Sequence, residues 1–124
     1  MTLSEKQQIG QLAEQKACEY LQAKGFRLIT QNYRCYFGEI DIVMQDQEDI
    51  VFIEVRSRAD TLYGHALESI GVKKMRKLIK TAAHFLQAKR WLHKKPSRFD
   101  VITIHQNAGN MRLEWIKNAF TVDS

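Results

Sequence analysis

The chain is short of cysteine, proline and glycine, and it has no long apolar run. Its two cysteines, Cys18 and Cys35, have the spacing of neither a metal knuckle nor a redox pair. Zinc-knuckle readings fall away, both thiols read as reduced, and Cys18 reads as a packed helix residue. The single proline, Pro96 in "HKKPSR", leaves no proline-rich linker and marks a break between two elements. Glycine-rich nucleotide loops and serine-hydrolase patterns are absent. No stretch approaches the ~18 apolar residues that a membrane span needs. The polar opening "MTLSEKQQIGQLAEQ" lacks the apolar segment of a signal peptide, so the expected location is the cytoplasm.

One further shortage is local. Residues 69–99 hold ten Lys and Arg and no acid, whereas residues 1–68 hold seven basic and eleven acidic residues. A concentrated cationic face raises the local concentration of polyanions. The tally alone supports a solvated helix face equally well. The 124 residues, 44% hydrophobic and 27% charged, suit one soluble domain with one core.

Periodicity gives the elements. Ser4 to Lys24 reads as a helix, with Ser4 as cap, Gln7 or Gln8 near the capping-box position and Gly25 as its end. Ile9, Ala13, Ala17, Tyr20 and Leu21 share its apolar face, and Glu14 lies at the edge of that face. Strands follow at Phe26–Tyr33, Glu39–Gln45 and Ile50–Arg56. Residues 59–68 read as a loop, and Val72 to about Leu92 as a second helix with a stripe of Met75, Leu78, Ile79, Ala82 and Leu86. Phe99–His105 and Arg112–Ile116 complete an αβββαββ order. That order implies a layered α/β domain, 1–124, with a central mixed five-stranded sheet flanked by helices.

Two carboxylates interrupt the best core-forming strands: Asp41 between Ile40 and Ile42, and Glu54 between Ile53 and Val55. If Gln47 and Glu48 form a two-residue turn closed by Asp46 and Asp49, Asp41 faces Glu54 and Glu39 faces Arg56. All four side chains then leave one face of the hairpin. Opposed carboxylates repel unless a cation lies between them. Arg56 is one candidate and a divalent metal is another. Mg²⁺ prefers one or two carboxylates with water and phosphate oxygens. A plain Asp/Arg/Glu salt-bridge network, with Glu39–Arg56 as one pair, remains open from the residues alone.

"GEIDIV", "VFIEVRSR" and "RFDVI" resemble the uncharacterised bacterial YraN family. That family is similar to the restriction-endonuclease-like PD-(D/E)XK nucleases and to archaeal Holliday-junction resolvases. The resemblance implies Glu14, Asp41, Glu54 and Arg56 as catalytic residues. It implies Mg²⁺ or Mn²⁺ held by Asp41, Glu54 and the Val55 carbonyl. Arg56 stands where such nucleases carry lysine, and an arginine does not give up its proton. Lys73 or Lys74 is then a source of the missing amine.

The expected function is metal-dependent, structure-selective endonuclease action on DNA, branched or damaged. The alternative is a non-catalytic nucleic-acid binder with a degenerate site. Lys73, Lys74, Lys77 and Lys80, and further along Arg90, Lys94 and Lys95, are the expected phosphate contacts. Resolvases of similar fold imply a homodimer. Trp91 and Trp115 read as packing residues, and the sequence offers no aromatic stacking platform. His65, His84 and Asp100 receive no chemical role.

Overall fold

The structure is a computed structural model that describes residues 3–59, 70–107 and 109–122, with backbone alone at 58, 59, 106 and 107. Helix α1 spans Glu5–Ala23. The Ser4 hydroxyl accepts from the Gln7 amide at 3.1 Å, and the Gln7 side chain accepts from the Ser4 amide at 3.0 Å. The helix stops because Gly25 turns left-handed, with φ 99°. Phe26 N–H then donates back to Leu21 C=O at 3.0 Å, and Phe26 joins the cluster that holds Leu21.

The remaining elements are β1 (Arg27–Cys35), β2 (Gly38–Asp46), β3 (Asp49–Ala59), α2 (Val72–Ala88), β4 (Ser97–Asn107) and β5 (Asn110–Phe120). The αβββαββ order stands as expected. The five strands form one sheet in chain order, antiparallel except for the parallel β3–β4 pair. Parallel neighbours need a crossover, and α2 lies in it. Ala17 and Leu21 of α1 pack with Ile42, Met44, Val51, Ile53 and Ile102 on one face. Leu78, Phe85 and Leu86 of α2 pack with Val43, Ile50, Phe52 and Val101 on the other. Among the described residues, no helix is long and apolar enough to cross a membrane.

Three expectations need correction. α2 ends four residues before Leu92, because Arg90 takes the left-handed conformation (φ 64°) that usually belongs to glycine. Trp91 N–H then donates to Leu86 C=O at 2.7 Å, the same end motif as in α1. β5 continues to Phe120, whose ring stacks on Phe99 at 4.4 Å. Ile9 is exposed rather than packed. Residues 60–69, with His65 and most of the expected loop, lie outside the described residues.

The connection "DQED" is pinned from across the sheet. Arg98, 6% exposed, donates to Asp49 Oδ2 at 2.7 Å, Asp46 Oδ2 at 3.1 Å and Asp100 Oδ1 at 3.0 Å. Fully buried Asp100 also accepts from Trp115 Nε1 at 3.0 Å and from the Asn118 amide at 2.9 Å. The latter contact holds the irregular stretch where the β4–β5 register shifts between Phe99 and Val101. Removing one member of such a buried set strands the others. Asp100→Ala is expected to cost about 3–5 kcal/mol in urea unfolding, whereas Glu48→Ala, on the exposed turn beside the same cluster, stays within about 0.5 kcal/mol.

Candidate functional site

The β2–β3 register places the two strand carboxylates at one level. Asp46 pairs with Asp49, and the ladder runs in the same register to Ile42 opposite Ile53. The next step along each strand is Asp41 and Glu54. Here a side chain enters the gap: Asp41 Oδ2 accepts from the Val55 amide at 2.9 Å. In an extended strand, N–H and C=O of one residue leave on the same edge, so the Val55 carbonyl also faces β2. Glu54 follows Ile50 and Phe52 in the alternation, which turns it toward α2. There Lys74 Nζ meets Glu54 Oε1 at 2.9 Å, and Arg56 Nη1 stands 3.9 Å from the same oxygen.

The electrostatics are those of a partly covered site rich in carboxylate. Burial and then the charge of Glu54 push the Asp41 carboxyl up to about 7, against the lowering effect of the Val55 amide. Glu14 raises it further and Lys74 lowers it. Glu14, from the middle of α1, is itself raised by burial and then by the charges of Glu39 and Glu54. With its nitrogen turned toward them, the Asn32 amide donates to Glu14 Oε1 at 3.3 Å and to Glu39 Oε1 at 3.1 Å. Asn32 can make this bridge because it sits at φ 52°, one residue before Tyr33.

Glu14, Asp41, Glu54, Val55 and Arg56 are thus brought into one neighbourhood. The Glu39–Arg56 pair that the residues left open is not the one Glu39 makes. Glu39 pairs with Arg34 on β1, Nε to Oε2 at 3.3 Å, because β1 runs alongside it in register while the β2–β3 ladder stops short of it. Lys73, Lys77 and Lys80 form an exposed row on α2. Lys74 departs from that row and enters the carboxylate site. Lys95 lies over the Trp91 ring at 4.7 Å. The rings of Trp115 and Trp91 pack edge-on against Phe26 and Phe85 at 5.7 and 6.0 Å. The Asn32 bridge carried no signal in the sequence, since its reach depends on one residue's backbone twist.

The model of the uncharacterised protein family UPF0102 matches residues 13–104, a span that includes Glu14, Asp41, Glu54 and Lys74. The chain belongs to the UPF0102 family. A UPF0102 protein of Nitrosococcus oceani is 47% identical over 115 residues, 93% of either chain. Another, of Stutzerimonas stutzeri, is 48% identical over 119 residues, 95% of this chain and 98% of the relative. A third, of Coxiella burnetii, is 45% identical over 117 residues, 94% of this chain and 95% of the relative. Among solved structures, Pyrococcus furiosus SfsA in complex with Ca²⁺ aligns with TM-score 0.42 and 11% identity, over 89% of this chain and 62% of that one.

Asp41, Glu54 and the Val55 carbonyl are oxygen donors of the type that a hard divalent cation takes. Among the described residues, no three His, Cys, Asp or Glu side chains gather as a ligand set. Two carboxylates and one carbonyl, with water completing the shell, suit Mg²⁺ better than a softer ion. Asp41 is raised first by burial and then by the Glu54 charge, with Lys74 acting against both.

A pH test follows. Folded Asp41 holds its proton up to about pH 7, whereas in the unfolded chain it loses it near 3.8. Between these values the folded state carries the extra proton, so raising pH through the window costs stability, of the order of 4 kcal/mol. In chelator, the melting temperature is expected to fall from pH 4.5 to pH 8 in the wild type. Asp41→Asn should be flatter over that range and more stable than wild type at pH 8. Parallel melting curves for the two proteins would refute the assignment.

Proposed function

We propose that this protein is a metal-dependent endonuclease acting on DNA, selective for structure such as branched or damaged sites rather than for sequence. The convergence of Asp41, Glu54 and Lys74 where β2 and β3 part carries this reading. Asp41 and Glu54, with the Val55 carbonyl, would hold Mg²⁺ or Mn²⁺ between them. The bound cation supplies polarisation of a phosphoryl oxygen and a lowered pKa for a coordinated water. Lys74 supplies the lysine that the Arg56 position lacks: its ammonium lies 2.9 Å from Glu54 and would orient a water or hold an incoming phosphate. Arg56 offers its guanidinium to the same phosphate as negative charge builds on it. Glu14, tethered by Asn32, orients water at the far side of the pair.

Lys73, Lys77 and Lys80 present exposed ammonium groups along α2 for the sugar-phosphate backbone. Contacts of this kind carry no sequence information. The reading places the chain in the cytoplasm, where its free thiols Cys18 and Cys35 are stable. A homodimer is part of it by resemblance to resolvases. The second reading, a non-catalytic DNA binder, draws on Lys74 too, since an internal ammonium on Glu54 serves as a built-in counter-ion.

Calorimetric titration of Mn²⁺ at pH 8 separates the two. The nuclease reading expects saturable binding to wild type, none to Asp41→Asn, and metal-dependent cutting of a four-way or flapped DNA by wild type alone. No Mn²⁺ binding, or binding unchanged in Asp41→Asn, would leave only the second reading. In either case DNA affinity should fall steeply with salt, and Lys77→Ala together with Lys80→Ala should lower the slope of log K against log[salt] by about 2. A slope unchanged by the pair would move the contact away from α2.

A further inference from the structure

The β1–β2 turn carries the most exposed aromatic side chain among the described residues. Cys35 pairs with Gly38, so Tyr36 and Phe37 are the two turn residues. Tyr36 is 96% exposed and Phe37 40% exposed. A ring so open to water gains almost nothing from the fold, and adjacent exposed aromatics mark contact surfaces.

The pair is nonetheless firmly mounted. Tyr36 meets Phe37 edge-on at 5.5 Å, and Phe37 meets the His84 ring of α2 at 6.4 Å. His84 Nδ1 is hydrogen-bonded to the Tyr33 hydroxyl, and Tyr33 packs edge-on against buried Phe85 at 5.1 Å. Gly38 brings the turn down onto α2: a Cβ there would lie 3.2 Å from Thr81 Oγ1, at a backbone φ of 154°. The outermost ring therefore stands at the end of a chain of rings rooted in the core.

Its surroundings are cationic. Lys77 and Lys80 lie seven and four residues before His84, on the flank of α2 that His84 shares with the turn, and both are exposed. Exposed Lys73 begins this line eleven residues before His84, about 16 Å along the helix axis, and its neighbour Lys74 holds Glu54. A basic ridge thus joins the carboxylate site to the aromatic turn. Exposed aromatic faces beside backbone-binding cations form the standard apparatus for holding unstacked bases.

We propose that Tyr36, backed by Phe37, is a stacking platform for an unpaired base of a DNA strand whose phosphates run along Lys77 and Lys80. The protein's preferred substrate is then one that offers an unpaired strand beside a duplex. This names the substrate form for the function proposed above and rests on that reading. The sequence alone showed no such platform, because one tyrosine and one phenylalanine in a row reveal neither their exposure nor their closeness to the basic helix.

The test needs neither metal nor turnover. In chelator, fluorescence anisotropy would follow wild type, Tyr36→Ala, Tyr36→Phe and Tyr36→Trp on a labelled single-stranded oligonucleotide and on a blunt duplex of equal length. Tyr36→Ala should weaken single-strand binding about 5- to 100-fold and change duplex binding less than about 2-fold. Tyr36→Phe should bind the single strand as wild type does. Tyr36→Trp should keep affinity and show indole quenching on the single strand and not on the duplex. Equal losses on both DNAs, or no loss on either, would overturn the proposal. So would wild-type self-association in sedimentation that disappears in Tyr36→Ala, since the turn would then meet a second copy. Failure of metal binding or cutting would sink the nuclease reading and leave these affinities as they are.

Discussion

The arrangement of the site depends on the register of the β2–β3 hairpin. Side chains alternate across a strand, so a slip of one residue would send Asp41 to the opposite face from Glu54 and bury a charge among the side chains packed on α1. The turn itself, Gln47–Glu48, lacks the Asn-Gly signature that enforces a tight hairpin. Register is secured from outside by Arg98, which binds the closing pair Asp46 and Asp49 together with buried Asp100. The acidic connection that looks like solvent-facing decoration is half of an internal lock.

That lock sits at one end of the hairpin and the carboxylate site at the other. Between them the strands are apolar on both faces and covered by one helix each, which keeps them straight and dry. Where the ladder ends, Asp41 takes the Val55 amide and the strands part. Two helices supply what the sheet lacks: α1 brings Glu14 and α2 brings Lys74. Fold and chemistry meet there because only the end of a covered hairpin can gather charges that are partly desolvated and still reachable.

Much of this was legible from the residues. Interruption of apolar strands by Asp41 and Glu54 is a local pattern, and the two-residue turn fixes their opposition by counting. Ser4 and Gly25 announced α1 because both its end motifs use the residues best suited to them. The end of α2 was illegible for the converse reason, since Arg90 adopts the left-handed turn without glycine. Lys74 could be nominated as a neighbour of the site but not separated from Lys73, because one residue of helix rotates a side chain by about 100°. The hairpin count sets Glu39 opposite Arg56, but it runs past Ile42 and Ile53, where the ladder ends. Asp100 and Asn32 act through contacts distant in sequence, which no local period records.

Arg98 has a consequence for how the chain reaches its native state. Its partner Asp49 is 49 positions earlier, on the far side of a crossover that must be in place before β3 and β4 can lie parallel. Contacts of such separation form late, since the chain between them must first be ordered. During that interval the turn acids have no counter-ion and repel one another, so the hairpin is free to sample other pairings. The arrival of β4 then selects the one alignment in which a single guanidinium bridges all three acids, proofreading the strand pairing after the fact.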